Sequence, residues 1–219
     1  MSESSLHSSL KNFYAKNGGL QEVSIDGYMI DVIKDDTLFE IQTKHFSSLK
    51  SKLSIVLEDY KVKIIYPISK KLWIIVLPKK GDKPIRKRKS PKRGRLESLF
   101  NELIFIPGYL SHPNLSIEVI FTVEEELRRD DGKGSWRRKG VSIIDRRLIT
   151  IEGVKELKFP ADYQELVPYL STNEFSNREL AIKLGIPVKL ARKMTYCLRT
   201  AGILRNCGKR GNNLLYKKC

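Results

Sequence analysis

The segment Gln21–Thr43, QEVSIDGYMIDVIKDDTLFEIQT, constrains the fold more than any other. It reads as three short strands joined by two tight turns. Asp26-Gly27 is a strong two-residue hairpin signal, because a type I′ turn needs positive φ at both central residues. Asp35-Asp36 predicts a second turn of the same length. Two-residue loops fix the pairing by arithmetic. Partners across the first turn sum to 53, since Ile25 faces Tyr28, and across the second to 71, since Lys34 faces Thr37. Glu22 then faces Asp31, and Asp31 faces Glu40.

Strict alternation along a strand puts those three carboxylates in one row, with Gln42 on the same face. The opposite face carries Val23, Ile25, Tyr28, Ile30, Val32, Phe39 and Ile41, a core-facing set. Opposed like charges destabilise a sheet and raise carboxylate pKa values. A divalent cation removes the conflict, and Mg²⁺ takes one or two carboxylates together with substrate phosphate. The row is therefore expected to be a metal site built from Glu22, Asp31 and Glu40. A solvated polar face of a meander is the plainer reading of each residue taken singly.

IDVIKDDTLFEIQT resembles the active-site signature of the PD-(D/E)XK nuclease superfamily. Asp31 matches its first acidic residue, with Ile30 where Pro is frequent, and Glu40 matches the second. Gln42 stands at the Lys position, and Lys44 and Lys50 are candidates for the missing positive charge. Glu22 resembles the additional upstream acid of many members. The resemblance covers roughly residues 4–77. It implies a catalytic set of Asp31, Glu40, Gln42 and Glu22, a Mg²⁺ cofactor that Mn²⁺ can replace, and phosphodiester hydrolysis. It also implies an α/β fold with a mixed sheet flanked by helices.

The flanking pattern agrees. Residues 4–17 read as a helix with Leu6, Leu10, Phe13 and Tyr14 at helical spacing, ended by Gly18-Gly19. His45–Glu58 reads as a second helix, and His45 at its start is either a substrate contact or a solvated residue. KVKIIYPI and LWIIVLP read as two apolar strands. The order helix, three strands, helix, two strands fits a layered α/β core.

A formal net charge of +16 and a pI near 9.7 favour a polyanionic partner, nucleic acid before an acidic membrane surface. No apolar run reaches the length that spans a bilayer, and no signal peptide is visible. A cytoplasmic protein is expected, associated with the nucleoid if the source is bacterial or archaeal. Cys197, Cys207 and Cys219 lack the spacing of a zinc site or a disulfide framework.

Residues 79–95, KKGDKPIRKRKSPKRGR, are a dense basic run broken by Pro84 and Pro91. Free in solution such a run is mobile. Arg86, Arg88, Lys92, Arg93 and Arg95 are candidate phosphate contacts, as are Lys44 and Lys50, and neutralised phosphates release counterions. Leu96–Ile106 reads as a helix, and Ser116–Val123 and Val141–Ile151 as strands. The basic tip between those strands holds Trp136, Arg137 and Arg138. Trp136 either stacks on an unpaired base, wedges into a groove, or packs under the hairpin base.

Ala161–Leu170 reads as a helix. Ser176 to Glu179 form a capping box that opens a helix ended by Gly185. Pro187 opens the next, ended by Gly202, and ILRNCGKRGNNLLYKK follows as a hairpin. This order resembles the winged helix-turn-helix of DNA-binding proteins, whose second helix enters the major groove. Lys189, Arg192, Lys193 and Arg199 would face DNA from that helix, and Lys209 and Arg210 from the wing. We therefore expect a nuclease domain over residues 1–157, with the basic insertion at 79–95, and a winged-helix domain over 158–219. The expected activity is Mg²⁺-dependent endonucleolytic cutting of double-stranded DNA, by a homodimer if both strands are cut. The alternative is a DNA-binding regulator with an inactive nuclease-like domain.

Overall fold

The computed structural model describes residues 4–168 and 174–219. Helix α1 (Ser5–Ala15) leads into the meander β1 (Leu20–Ile25), β2 (Tyr28–Lys34) and β3 (Thr37–Ile41). A 3₁₀ turn at Phe46–Leu49 opens α2 (Lys50–Asp59), and β4 (Lys61–Leu77) follows. Both meander turns are type I′ in character. Asp26 and Gly27 have φ of 48° and 79°, and Asp35 and Asp36 have 47° and 55°. The registers follow, with Ile25 opposite Tyr28 and Lys34 opposite Thr37.

β3 runs parallel to β4, a change of direction that the α2 crossover makes possible. β4 is one 17-residue strand rather than two, because the Ser69–Lys71 step is a bulge and not a turn. It pairs in parallel with β6 (Leu115–Arg129), which pairs antiparallel with β7 (Ser142–Leu157). The large sheet is mixed, in the order β1-β2-β3-β4-β6-β7. β4, β6 and β7 run on well past the end of β3 and form an arm.

The basic run is not a free loop. Arg86–Lys89 form β5, paired antiparallel with the edge that β4 exposes beyond β3. Ser90 N–H donates to Leu72 O, and Gly94 N–H donates to Ser69 O at 2.8 Å. A Cβ on Gly94 would lie 2.6 Å from Ser69 O, so only glycine permits this approach. Unpaired edge groups of β4 supply the ordering that composition alone could not reveal.

Helices flank the sheet on both faces. α1 covers one face with Leu6 and Leu10 against Val32, Ile41, Ile65 and Ile120. α2 covers the other with Leu53, Val56 and Leu57 against Ile30, Leu38 and Ile64. Strict alternation fails at one point. Ile30 packs on the α2 face and Val32 on the α1 face, so the expected one-sided apolar set is divided. The sheet changes parity at Glu22, which sits at φ 55° between the ladder pairs Gln21–Val32 and Val23–Ile30.

The predicted helix at 96–106 is shorter: a 3₁₀ turn at Leu96–Leu99 and α3 at Phe100–Leu103. Leu99, Phe100 and Leu103 are buried, while Leu96 and Ile104 are half-buried. α4 spans Pro160–Gln164, and Leu170 of the predicted helix lies outside the described residues. The C-terminal unit comprises β8 (Phe175–Ser176), α5 (Asn177–Leu184), α6 (Val188–Thr200), β9 (Leu204–Arg210) and β10 (Asn213–Lys218). Ser176 and Glu179 form the capping box, and Gly185 ends α5 at φ 62°. The three strands form a second sheet, β8-β10-β9. Buried residues of α6, including Met194 and Leu198, join the same apolar cluster as Phe100, Leu103 and α2. Among the described residues no helix is long and apolar enough to cross a membrane.

Candidate active site

β2 and β3 part company after Val32 and Phe39. The cause is Asp31. Its Oδ2 accepts the backbone N–H of Ile41 at 2.8 Å, so a side chain takes the donor that a ladder bond would have used. Its Oδ1 lies 3.2 Å from His7 Nε2 on α1. The Asp31 backbone N–H in turn favours the ionised Glu40 carboxylate. Asp31 and Glu40 thus interlock at the fork of the two strands.

Glu40 is only 5% exposed. Its Oε1 lies 2.7 Å from Nζ of Lys52 on α2, and Lys52 also donates to Met29 O at 2.6 Å. Burial pushes the Glu40 carboxyl up to about 7, opposed by the Lys52 charge and helped by the charge of Asp31. A cation bound between the two carboxylates would relieve that penalty. Gln42 sits beside the fork, its Nε2 donating to Ser48 Oγ at 3.1 Å.

Glu22 is not part of this cluster. Its side chain is 63% exposed, and its Oε1 pairs with Lys11 Nζ on α1 at 2.7 Å. The predicted row of three carboxylates on one face is therefore not formed. The registers next to the turns hold, but neither Glu22–Asp31 nor Asp31–Glu40 is a ladder pair, and each acid turns toward its own partner: Lys11 for Glu22, His7 for Asp31, Lys52 for Glu40. Among the described residues no group of three or more His, Cys, Asp or Glu is arranged to hold a metal. The donor chemistry of Asp31 and Glu40 still suits Mg²⁺, which accepts one or two carboxylates and completes its shell with water and phosphate.

Lys44 and Lys50 are exposed, and neither reaches the carboxylates. Lys52 does, and sequence reasoning missed it. The signal was present: Lys52 lies three residues from Leu49 and four from Val56, so it shares the sheet-facing stripe of α2. A lysine inside an apolar stripe beside a carboxylate-rich sheet calls for a partner.

The predicted nucleic-acid contacts divide into two groups. Arg86, Arg88, Lys92, Arg93, Arg137, Lys189, Arg192, Arg199 and Lys209 are exposed. Trp136 is 82% exposed at the hairpin tip with Arg137 5.4 Å from its ring, so it does not pack under the hairpin. The others have structural partners. Arg95 donates to Leu184 O and Gly185 O, the carbonyl end of α5. Arg138 donates to Val141 O, Lys193 to Asn101 Oδ1, and Arg210 to Glu179 Oε1.

The raised Glu40 pKa has a direction in pH. A carboxyl that holds its proton more tightly when folded makes the folded state bind more protons between its unfolded value of 4.5 and about 7. Stability then falls as pH rises through that window. In EDTA the melting temperature of the wild type is expected to fall between pH 5 and 7.5, and Glu40→Gln to flatten the dependence. Thermal melts across pH test this; parallel curves for both proteins would refute it.

Comparison with known proteins gives two findings. A family model described as a domain of unknown function, DUF8091, matches residues 4–158. A protein of Treponema pallidum (strain Nichols), described as uncharacterized, is 30% identical over 217 residues, covering 99% of this chain and 85% of the relative. No solved structure matches.

Proposed function

The chain belongs to the DUF8091 family, and we propose that it is a metal-dependent DNA endonuclease acting through Asp31, Glu40 and Lys52. One observation carries this reading: two carboxylates from adjacent strands interlock at a strand fork, and a lysine from the next helix stands on the buried one. This supports the PD-(D/E)XK resemblance, with Lys52 supplying the charge that Gln42 lacks.

Bound Mg²⁺ or Mn²⁺ would supply an activated water and neutralise charge at phosphorus. Asp31 and Glu40 would hold it. Lys52 is tethered by Met29 O, so it stays beside the fork when Glu40 turns to a ligand, and its charge would then stabilise the phosphorane-like oxygens. The Gln42 amide nitrogen is engaged by Ser48, which leaves its carbonyl oxygen to accept a hydrogen bond from water. Gln42 can orient that water but cannot deprotonate it.

The C-terminal unit supports a winged helix-turn-helix reading: two helices joined by Gly185-Ile186-Pro187, then a hairpin with a basic tip. Lys189 and Arg192 on α6 and Lys209 on β9 are exposed and suited to phosphates. Cutting both strands would need two active sites, from a homodimer or from two sequential binding events. A second reading, a DNA-binding regulator, is favoured by one feature: Glu40 is buried and already paired.

Incubation with supercoiled plasmid in Mg²⁺, Mn²⁺ or EDTA separates the two. Metal-dependent nicking is expected; binding without cutting in every metal favours the regulator. In EDTA, Lys189→Ala/Arg192→Ala/Lys209→Ala is expected to weaken duplex binding and to flatten the log Kobs–log[salt] slope by up to about 2.7, from about 0.9 per phosphate contact. An unchanged slope would remove α6 and the hairpin from the interface.

A further inference from the structure

The arm carries a pocket that the acidic fork does not use. It has a volume of about 650 Å³, within the range of small-molecule sites. Phe121 on β6 forms an apolar wall. Lys70, Lys71, Lys89 and Arg93 surround it, with Glu152 as the one lining acid.

Only part of this charge is matched inside the chain. Glu152 is taken by Lys71, at 2.5 Å. Lys70 Nζ sits 4.3 Å over the Phe121 ring. Lys89 and Arg93 have no carboxylate partner among the described residues. Like charges gathered round one cavity repel, and they contribute nothing to stability unless an anion enters.

The backbone holds them there. Lys70 is the extra residue of the β4 bulge, between Ser69 opposite Thr122 and Lys71 opposite Val123. A bulge re-aims a side chain and is common beside functional sites. Arg93 is fixed by the close approach of Gly94 to Ser69, and Lys89 by the pairing of β5 with Trp73 on β4. The pocket is thus built by ordered backbone on both sides.

We infer that this pocket binds the phosphate of a nucleotide, with Phe121 and the aliphatic stems of the lysines against its sugar or base. Lys70, Lys89 and Arg93 neutralise the phosphate oxygens. The pocket lies on the same sheet face as Glu40, since Ile64 opposite Glu40 and Ile68 opposite Phe121 share the α2-side core. Lys70 is six residues further along β4 than Ile64, about 20 Å at a strand's rise. The site is separate from the fork and does not depend on nuclease activity.

The same phosphate chemistry could come from a free nucleotide or from a nucleic-acid strand. The test uses the full chain in EDTA, where no cleavage occurs. Three probes are titrated by calorimetry: ATP, a 5′-phosphorylated thymidine decamer and the same decamer with a 5′-hydroxyl. Lys70→Ala/Lys89→Ala is compared with wild type and with Lys61→Ala/Lys183→Ala, two exposed lysines away from the pocket, the fork and α6. At least one probe is expected to bind, about tenfold or more weaker to Lys70→Ala/Lys89→Ala and unchanged with Lys61→Ala/Lys183→Ala. Loss confined to ATP identifies a free nucleotide. Loss confined to the phosphorylated decamer identifies a strand end, and equal loss on both decamers identifies the strand backbone. Failure of all three probes to bind, or affinity that Lys70→Ala/Lys89→Ala leaves intact, overturns the inference. Neither outcome bears on plasmid nicking, which tests the fork.

Discussion

Lys52→Ala is expected to slow metal-dependent nicking by about 10²–10³, the usual effect of removing one preorganised charge from a transition state. Asp31→Ala and Glu40→Ala are expected to fall to background, because two carboxylates are the least that the fork can offer a cation. Single-turnover assays on supercoiled plasmid measure all three. Affinity for duplex in EDTA should stay within about threefold of wild type, since the contacts proposed for α6 and the hairpin would dominate non-specific binding. Lys44→Ala and Lys50→Ala are the matched controls; both residues are exposed and touch neither acid. Full-rate nicking by Lys52→Ala would move the positive charge elsewhere. Equal losses in Lys44→Ala, Lys50→Ala and Lys52→Ala would show a general effect of positive charge on binding.

Phe100→Ala is expected to cost about 3–5 kcal/mol, from lost transfer energy and the cavity left behind. Phe100 is fully buried in α3, where the apolar cluster passes from the large sheet to α6. At this chain length the loss corresponds to a melting temperature lower by roughly 6–20 °C. Because the cluster is continuous, both parts of the chain should melt together, with fluorescence of Trp73 and Trp136 and far-ultraviolet circular dichroism reporting one transition. Two separated transitions in the wild type would mean that the C-terminal unit folds by itself.

The meander was legible in the sequence because its turns are chemical. Asp26-Gly27 and Asp35-Asp36 demand positive φ, and loop length then sets register. What register could not show was the side to which each acid turns. That depends on Glu22 entering the left-handed region and on Asp31 capturing the Ile41 N–H, both tertiary choices. Lys52 was legible only once α2 was known to cover the β3 face, since helical periodicity gives a stripe but not its partner. The 79–95 segment failed for the same kind of reason. Its composition describes a solvated chain, and only the free edge of β4 beyond β3 explains why Arg86–Lys89 become a strand.

For the duplex of the proposed function, the unequal lengths of β3 and β4 would set a footprint. β3 stops opposite Ile65, while β4 continues to Leu77, twelve residues further and about 40 Å along the strand. B-form duplex advances 3.4 Å per base pair, so that distance is about a dozen base pairs. A duplex much shorter than this, lying along the arm, would engage the fork or the distal end but not both. Under the proposed function, substrate length would then work as a ruler: contributions from the two ends would add only once a duplex exceeds roughly one helical turn.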